Sequence, residues 1–231
     1  MLSFNVNAWC AWAPGIETPA QWQQWQRDGE LGEPQMPSLD WVSAAQRRRL
    51  SSLTRIQLAC AKTVIGDDSL PVIFASRHGE LHRTFQLLTT LGEQEPLSPT
   101  HFSLSVHNAA AGLFGILRED RAPANVVVGD DDSLMLGLVE ACAMLGSGQC
   151  EEVLLVAGEQ QVPAPYVQFM ASRQVDHALA LRLGRGSDIR LTSDNRGLAQ
   201  PWPLAMQLAA LLASGESGRL ALAEQGWTWQ R

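Results

Sequence analysis

Short apolar runs bounded by turn residues alternate along this chain with stretches of helical periodicity, and that alternation restricts it to an α/β architecture. Residues 71–75 (PVIFA), 126–128 and 153–157 are too uniformly apolar to be half-exposed strands. They read as strands buried on both faces, the pattern of a sheet covered by helices on its two sides. Helical patterns stand around them, over 79–91, from Ser98 with Pro99 at the first position, from Ala109 to Leu117, and over 133–145. Residues 2–13 and 177–183 supply further strands, 203–213 a further helix, and 220–223 with 227–230 a terminal hairpin. Residues 41–65 read as one amphipathic helix that buries Leu50, Leu53, Ile56, Leu58 and Ala61 and stops at Gly66. The stretch before it holds Trp22, Trp25, Pro34 and Pro37 and reads as a loop. No internal repeat is present, so residues 1–231 are expected to form one domain.

Charge narrows the function classes. A formal net charge of −7 opposes binding to nucleic-acid backbones and anionic membranes. The run Arg47-Arg48-Arg49 lies in a helical pattern and reads as a solvated helix face. Cys10, Cys60, Cys142 and Cys150 match no zinc or redox spacing. Cys60 and Cys142 sit in apolar helical stretches, as small core residues do. The first residues carry no basic, apolar signal pattern, and no stretch reaches the ~20 apolar residues of a membrane span. The expected compartment is the cytoplasm, with no cofactor and no metal. His78 and His82 are four apart but have no acid or cysteine at ligand spacing.

The helix from Ser133 constrains function most. Leu134, Leu138, Ala141 and Leu145 form one apolar stripe, and Met135, Val139 and Cys142 make the neighbouring face apolar too. Such a helix belongs in the middle of a structure. It begins after a buried strand with three acids, Asp130-Asp131-Asp132. In α/β sheets that strand-to-helix turn is where a nucleophile or ligand site lies.

Three blocks of the chain resemble the β-ketoacyl synthases. Residues 98–112 (SPTHFSLSVHNAAAG) are similar to the helix pair before the family's active-site strand. Residues 73–85 (IFASRHGELHRTF) resemble the segment preceding it, and residues 148–159 (GQCEEVLLVAGE) resemble the strand after the nucleophile helix. The blocks fall in family order, in register from about residue 40 to about residue 185. The resemblance implies a thiolase-like fold, here a single N-terminal half with a mixed sheet and a buried central helix.

Two departures from the family pattern decide what the resemblance implies. The position of the family's nucleophilic cysteine falls on Asp131, and no thiol lies near it in sequence. A condensing enzyme holds its acyl group as a thioester on a thiolate favoured by the helix N-terminus. An acyl-aspartate would be a mixed anhydride, far more prone to hydrolysis. An acid at this place instead reads as a cap on free helix amides, worth about 0.5–2 kcal/mol. The family's two catalytic histidines belong to its second half, and the last histidine here is His177.

The resemblance therefore points to a cysteine-less chain-length-factor subunit of a type II system, in polyene, polyketide or fatty-acid-type biosynthesis, with the aryl polyene pathway as the first setting it implies. Such a subunit heterodimerises with a full-length ketosynthase and limits the acyl or polyene chain by sterics at the tunnel end. Phe102, His107, Asn108 and Phe114 are the tunnel or interface candidates. An acidic acyl carrier protein is expected to dock on the ketosynthase, reaching this chain only indirectly. Two other readings remain: a malonyl-thioester decarboxylase using Asp131, and a stand-alone homodimeric acyl-binding scaffold.

Overall fold

A computed structural model describes residues 1–194, 196–199 and 201–231. Its centre is a seven-stranded mixed sheet. Strands β2 (Val72–Ala75), β3 (Ala124–Val127) and β4 (Glu152–Glu159) run parallel, with β2 between the other two. The long strand β5 (His177–Asp194) pairs antiparallel with β4 and, on its other side, with β1 (Leu2–Trp12). Its second half carries β7 (Gly226–Gln230), which pairs with β6 (Gly218–Ala221).

Helices cover both faces. Helix α3 (Ser52–Ile65) and helix α6 (Ala109–Arg118) pack on one face around Leu39, Val42, Phe74 and Phe114. Helices α1 (Pro19–Asp28), α7 (Ser133–Ser147) and α8 (Leu204–Ser214) pack on the other. Strand β1 serves both cores through a change of parity. Leu2, Phe4 and Val6 face the α7 and α8 side, as do Trp9 and Ala11, whereas Ala8, Cys10 and Trp12 face α3. Even positions point one way before Asn7 and the other way after it. The register shift between Val6 and Ala8 is a β-bulge that absorbs one residue.

Three elements differ from expectation. The helix expected over 41–65 is two helices, α2 (Ala44–Arg47) and α3, because Ser51 is extended and its hydroxyl caps the Thr54 amide, restarting the helix. The expected loop around Trp22 contains α1. Thr18 and Gln21 form a capping box, Pro19 stands at the first position, and Gly29 ends the helix at φ 70°. Trp22 and Trp25 are buried there, edge to face at 5.7 Å, and Trp202 continues the stack 5.3 Å from Trp25. The arginine run begins as the last residue of α2 and continues beyond it.

Helix α7 lies directly on the sheet. A Cβ on Gly137 would come within 2.7 Å of Leu155 and 3.3 Å of Ala75, so the glycine sets how closely helix and strands approach. The inward stripe of Leu134, Leu138, Ala141 and Leu145 is buried, but Leu136 and Val139 on the outer face are 40% and 48% exposed. The sheet and its other helices cover one side of α7 only, and its outer apolar side faces solvent.

Two short helices complete the frame. Helix α4 (Leu81–Gly92) follows β2, and α5 (Pro99–Ser103) precedes α6, with Ser98 capping it through the His101 amide. A 3₁₀ turn, Ala164–Phe169, leads from β4 towards β5 and meets α4 where Phe85 and Tyr166 stack at 5.9 Å.

Candidate functional site: a charged plug at the start of the central helix

The carboxyl ends of β2, β3 and β4 converge with the N-terminus of α7, and the turn between β3 and α7 brings Asp131 there. The turn is tight. Asp130 has φ 57°, in the left-handed region that aspartate tolerates better than most side chains. Ser133 holds it closed by accepting from the Gly129 amide at 3.0 Å and donating to the Asp130 carbonyl at 2.7 Å.

The Asp131 side chain does not cap the helix. Its Oδ1 accepts from Arg77 Nη1 at 2.6 Å and from the Ser172 hydroxyl at 3.2 Å, and Arg77 Nε reaches Asp130 Oδ1 at 2.6 Å. Asp132, the residue at the cap position, also makes no side-chain cap bond. The capping role expected of these acids is thus displaced by a guanidinium that holds two carboxylates. Asp132 has one buried oxygen without a partner among the described residues, and burial pushes its carboxyl up to about 6.

Arg77 is itself held from behind by Glu159 at the end of β4. One Glu159 oxygen accepts from the Arg77 amide and the other from the His78 amide at 3.3 Å. Burial is the dominant influence on Glu159 and raises its carboxyl to about 7, although the backbone donors, Ser76 and the Arg77 charge oppose the rise. Burial and the Arg77 charge lower His78. His177 is buried at the start of β5, where its Nδ1 donates to the Val175 carbonyl at 2.8 Å. The cavity left among Arg77, Asp131, Glu159, Ser172, Val175 and His177 measures about 60 Å³. That is room for a few waters, far below the ~300–1,000 Å³ of small-molecule sites. Among the described residues no thiol lines it.

The other candidate residues lie apart from this plug. His107 sits on the opposite side of the β2–α4 turn, where its Nε2 donates to the Ser76 carbonyl at 3.0 Å. Gly79, at φ 51°, presses against that ring, and a Cβ there would lie 3.1 Å from it. Phe114 is 2% exposed, packed on Phe74 at 5.9 Å and Trp41 at 6.4 Å, so it belongs to the α3–α6 core. Asn108 is exposed at the start of α6, and Phe102 on α5 is 65% exposed. His78 lies in the turn before α4 and His82 on that helix, where its Nε2 donates to the Gln161 carbonyl at 2.6 Å. No cluster of three metal-ligating side chains occurs among the described residues. No helix among them is long and apolar enough to cross a membrane.

Arg77, Glu159, Ser172 and His177 were not among the site residues expected from the sequence. Arg77 and Glu159 carried a signal: each is a charged residue within two positions of the end of a buried strand, inside one of the blocks already singled out.

Comparison with known proteins follows this geometry. The family described as β-ketoacyl synthase, N-terminal domain, matches residues 22–230. No curated protein matches the chain. Among solved structures, a chain of the ketosynthase (ApeO) in complex with its chain length factor (ApeC) from Xenorhabdus doucetiae is 28% identical, with a TM-score of 0.90 and 100% of each chain covered. A chain of the ishigamide ketosynthase/chain length factor is 13% identical at a TM-score of 0.74, covering 98% of each. A β-ketoacyl synthase from Burkholderia phymatum STM815 is 11% identical at a TM-score of 0.62, covering 93% of this chain and 71% of the other. The last two likenesses are of fold. The mixed sheet with its covering helices is a thiolase-like, ketosynthase fold.

Proposed function

Because the chain belongs to the β-ketoacyl synthase N-terminal domain family, we propose that it is a non-catalytic, chain-length-factor-like subunit that pairs with an active β-ketoacyl–acyl carrier protein synthase. The observation that carries this reading is Asp131. At the turn where the family resemblance places a nucleophilic thiol stands a carboxylate already engaged by Arg77 and Ser172. It has neither the chemistry to hold an acyl group durably nor a cavity to receive one. The likeness over full length to a chain from a ketosynthase–chain length factor complex supports the same assignment.

The sheet supports a pairing surface. Among the described residues β3 is bonded to β2 and to no other strand, which leaves its outer edge open. Open edges invite another strand. Asn125 of β3 donates to Glu140 of α7 at 2.9 Å, which ties the exposed Leu136 and Val139 face to this edge. Exposed Ile116 stands on α6, which packs beside β3. An edge strand flanked by apolar side chains on both layers is a surface built to be covered.

In this reading residues 1–231 act as one domain. The ketosynthase performs condensation, and the carrier protein docks on it. The chain shapes the far end of the acyl tunnel for a polyene- or polyketide-type product. Of the four tunnel candidates, exposed Phe102 and Asn108 can meet the partner directly, while His107 is bonded to Ser76 and Phe114 is packed in the α3–α6 core. Phe102→Ala in the complex is expected to lengthen the product measured by mass spectrometry, since overfilling a closed space costs ~1–3 kcal/mol and removing the ring lifts that limit. An unchanged length distribution would remove Phe102 from the tunnel.

The test of the whole reading is co-expression with the ketosynthase encoded nearest to this chain in its genome, followed by purification and light scattering. A one-to-one complex is expected. A stable monomer or homodimer that ignores the ketosynthase would overturn the assignment. Malonyl-carrier turnover by such a protein would then favour a decarboxylase, and its absence a homodimeric acyl-binding scaffold.

A further inference from the structure

Helix α4 has the amphipathic pattern of a packed helix and few of its supports. None of its 12 residues is buried. Glu80 stands at its N-cap without a capping bond, because its carboxylate accepts from the Ser51 and Thr54 hydroxyls at 2.6 and 2.7 Å and from Arg83 at 2.9 Å. The last turn carries no base, and the chain leaves it through Gln94 at φ 59°, a conformation glycine adopts at less cost. Thr89 and Thr90 turn their hydroxyls back onto the carbonyls of Phe85 and Gln86 at 3.0 and 2.9 Å, which weakens a helix further. A helix of about 12 residues is marginal by itself and depends on packing of its apolar face. The start of α4 has such anchors: Phe85 stacks on Tyr166, His82 bonds the Gln161 carbonyl, and Arg83 donates to the Arg49 carbonyl at 2.6 Å. Beyond Phe85 no side chain of α4 makes a hydrogen bond to another element among the described residues. Leu88 and Leu91, three residues apart on one face, are 53% and 59% exposed. Neighbouring α5 adds exposed Phe102, and Leu97 precedes it.

We propose that the second half of α4, through Leu88 and Leu91, is a docking arm that lies on the ketosynthase and is held helical by it. This docking rests on the pairing proposed above and adds a contact to it. The β3 edge is four residues long, ~13 Å at ~3.3 Å per residue, whereas a stable interface takes about 20–30 residues a side. The edge and its flanking side chains therefore supply only part of the surface a lasting complex needs. The arm lies on the same run of chain: from α5 it continues through exposed Val106 into α6, the helix beside the β3 edge. Residues 86–92 (QLLTTLG) carry no charge, so a partner can cover them without stripping water from an ion. Burial of the two leucines then provides the packing that α4 lacks in the single chain, and binding and helical order become coupled.

The test compares hydrogen–deuterium exchange in the free chain and in its complex with the same ketosynthase, alongside the affinity of variants. Amides of residues 86–92 are expected to exchange quickly in the free chain and to slow ~tenfold or more in the complex. Leu88→Ser combined with Leu91→Ser is expected to weaken binding ~tenfold or more, since two buried leucines are lost from the interface. Gln86→Ser, on the side of α4 away from both leucines, is expected to bind like the parent. A complex in which these amides exchange as they do in the free chain, or an unchanged affinity of the double variant, would overturn the arm and leave the pairing standing. Slowing that instead follows the concentration of the free chain would assign the face to a second copy and overturn the arm as well. A wild-type chain that forms no complex with the ketosynthase would overturn both the pairing and the arm.

Discussion

Arg77 performs two tasks with different atoms. Its guanidinium holds Asp130 and Asp131, and its amide is gripped by Glu159. Arg77→Ala leaves adjacent carboxylates without their counter-charge, at a site where Asp131 is mostly shielded. It is expected to destabilise the fold by about 1–3 kcal/mol in urea denaturation. Arg77→Lys should recover a fraction, because one ammonium cannot reproduce a planar fork. An alanine variant as stable as the parent would show that the plug is ornamental. Glu159 makes a second, pH-dependent contribution. Burial favours its neutral form, so the folded chain keeps this proton to about pH 7 while an unfolded chain releases it near 4.5. The group therefore stabilises the fold most below pH 4.5, loses its contribution between 4.5 and 7, and adds nothing further above that. The loss is about 3 kcal/mol at ~1.4 kcal/mol per pH unit of difference. Glu159→Gln should flatten the fall in stability between pH 5 and pH 8. Asp132, raised in the same direction, remains in both proteins and cancels from the comparison. Parallel slopes for the two proteins would rule this account out. Neither partnership was legible in the sequence: Arg77 and Asp131 are 54 residues apart, and Arg77 and Glu159 are 82 apart. The aspartate at position 131, where the family resemblance places a thiol, was visible, because it is a local fact.

Elements were readable to the extent that local pattern controls them. The buried strands over 71–75 and 153–157 and the helix from Ser133 announce themselves by composition. Helix α1 did not, because its apolar side is two tryptophans among glutamines, even though Thr18, Pro19 and Gln21 spell a helix start. The break before α3 turned on one serine within a continuous apolar rhythm. Helix α7 is the instructive case. Its sequence is apolar nearly all round, which reads as full enclosure, whereas one side of it is open. The composition anticipates a covering surface that the chain does not itself supply. Replacing Leu136 and Val139 together by Asp should leave the isolated chain's stability within about 0.5 kcal/mol, as surface changes usually do. The same pair of changes should abolish co-purification with the ketosynthase. Retained pairing would move the interface away from α7.

At the scale of the whole molecule, one sheet is shared by two separate cores, and its class follows from alternation of strands and helices. The order β3-β2-β4-β5 with β1 beyond could not be counted out from the sequence, since it depends on which distant strands meet. Nor could the division of side chains between the cores, and here the bulge at Asn7 has a consequence of its own. Every residue of β1 is assigned to a core by its distance, in residues, from that bulge. Removing Asn7 would join Val6 to Ala8, whose β5 partners Leu183 and Arg182 are already adjacent, so the ladder would close without a bulge and each remaining side chain would keep its core, whereas inserting a residue between Ala8 and Trp9 would slide the rest of the strand by one and turn Trp9 towards α3. Substituting Asn7→Ala should cost little, because the side chain is exposed and contributes one bond to Glu152. Deleting Asn7 should keep a single cooperative unfolding transition, whereas an insertion after Ala8 should abolish it. Beyond the bulge the strand is written into the fold by number as much as by letter: a code for spacing that can lose its one silent character but cannot gain another.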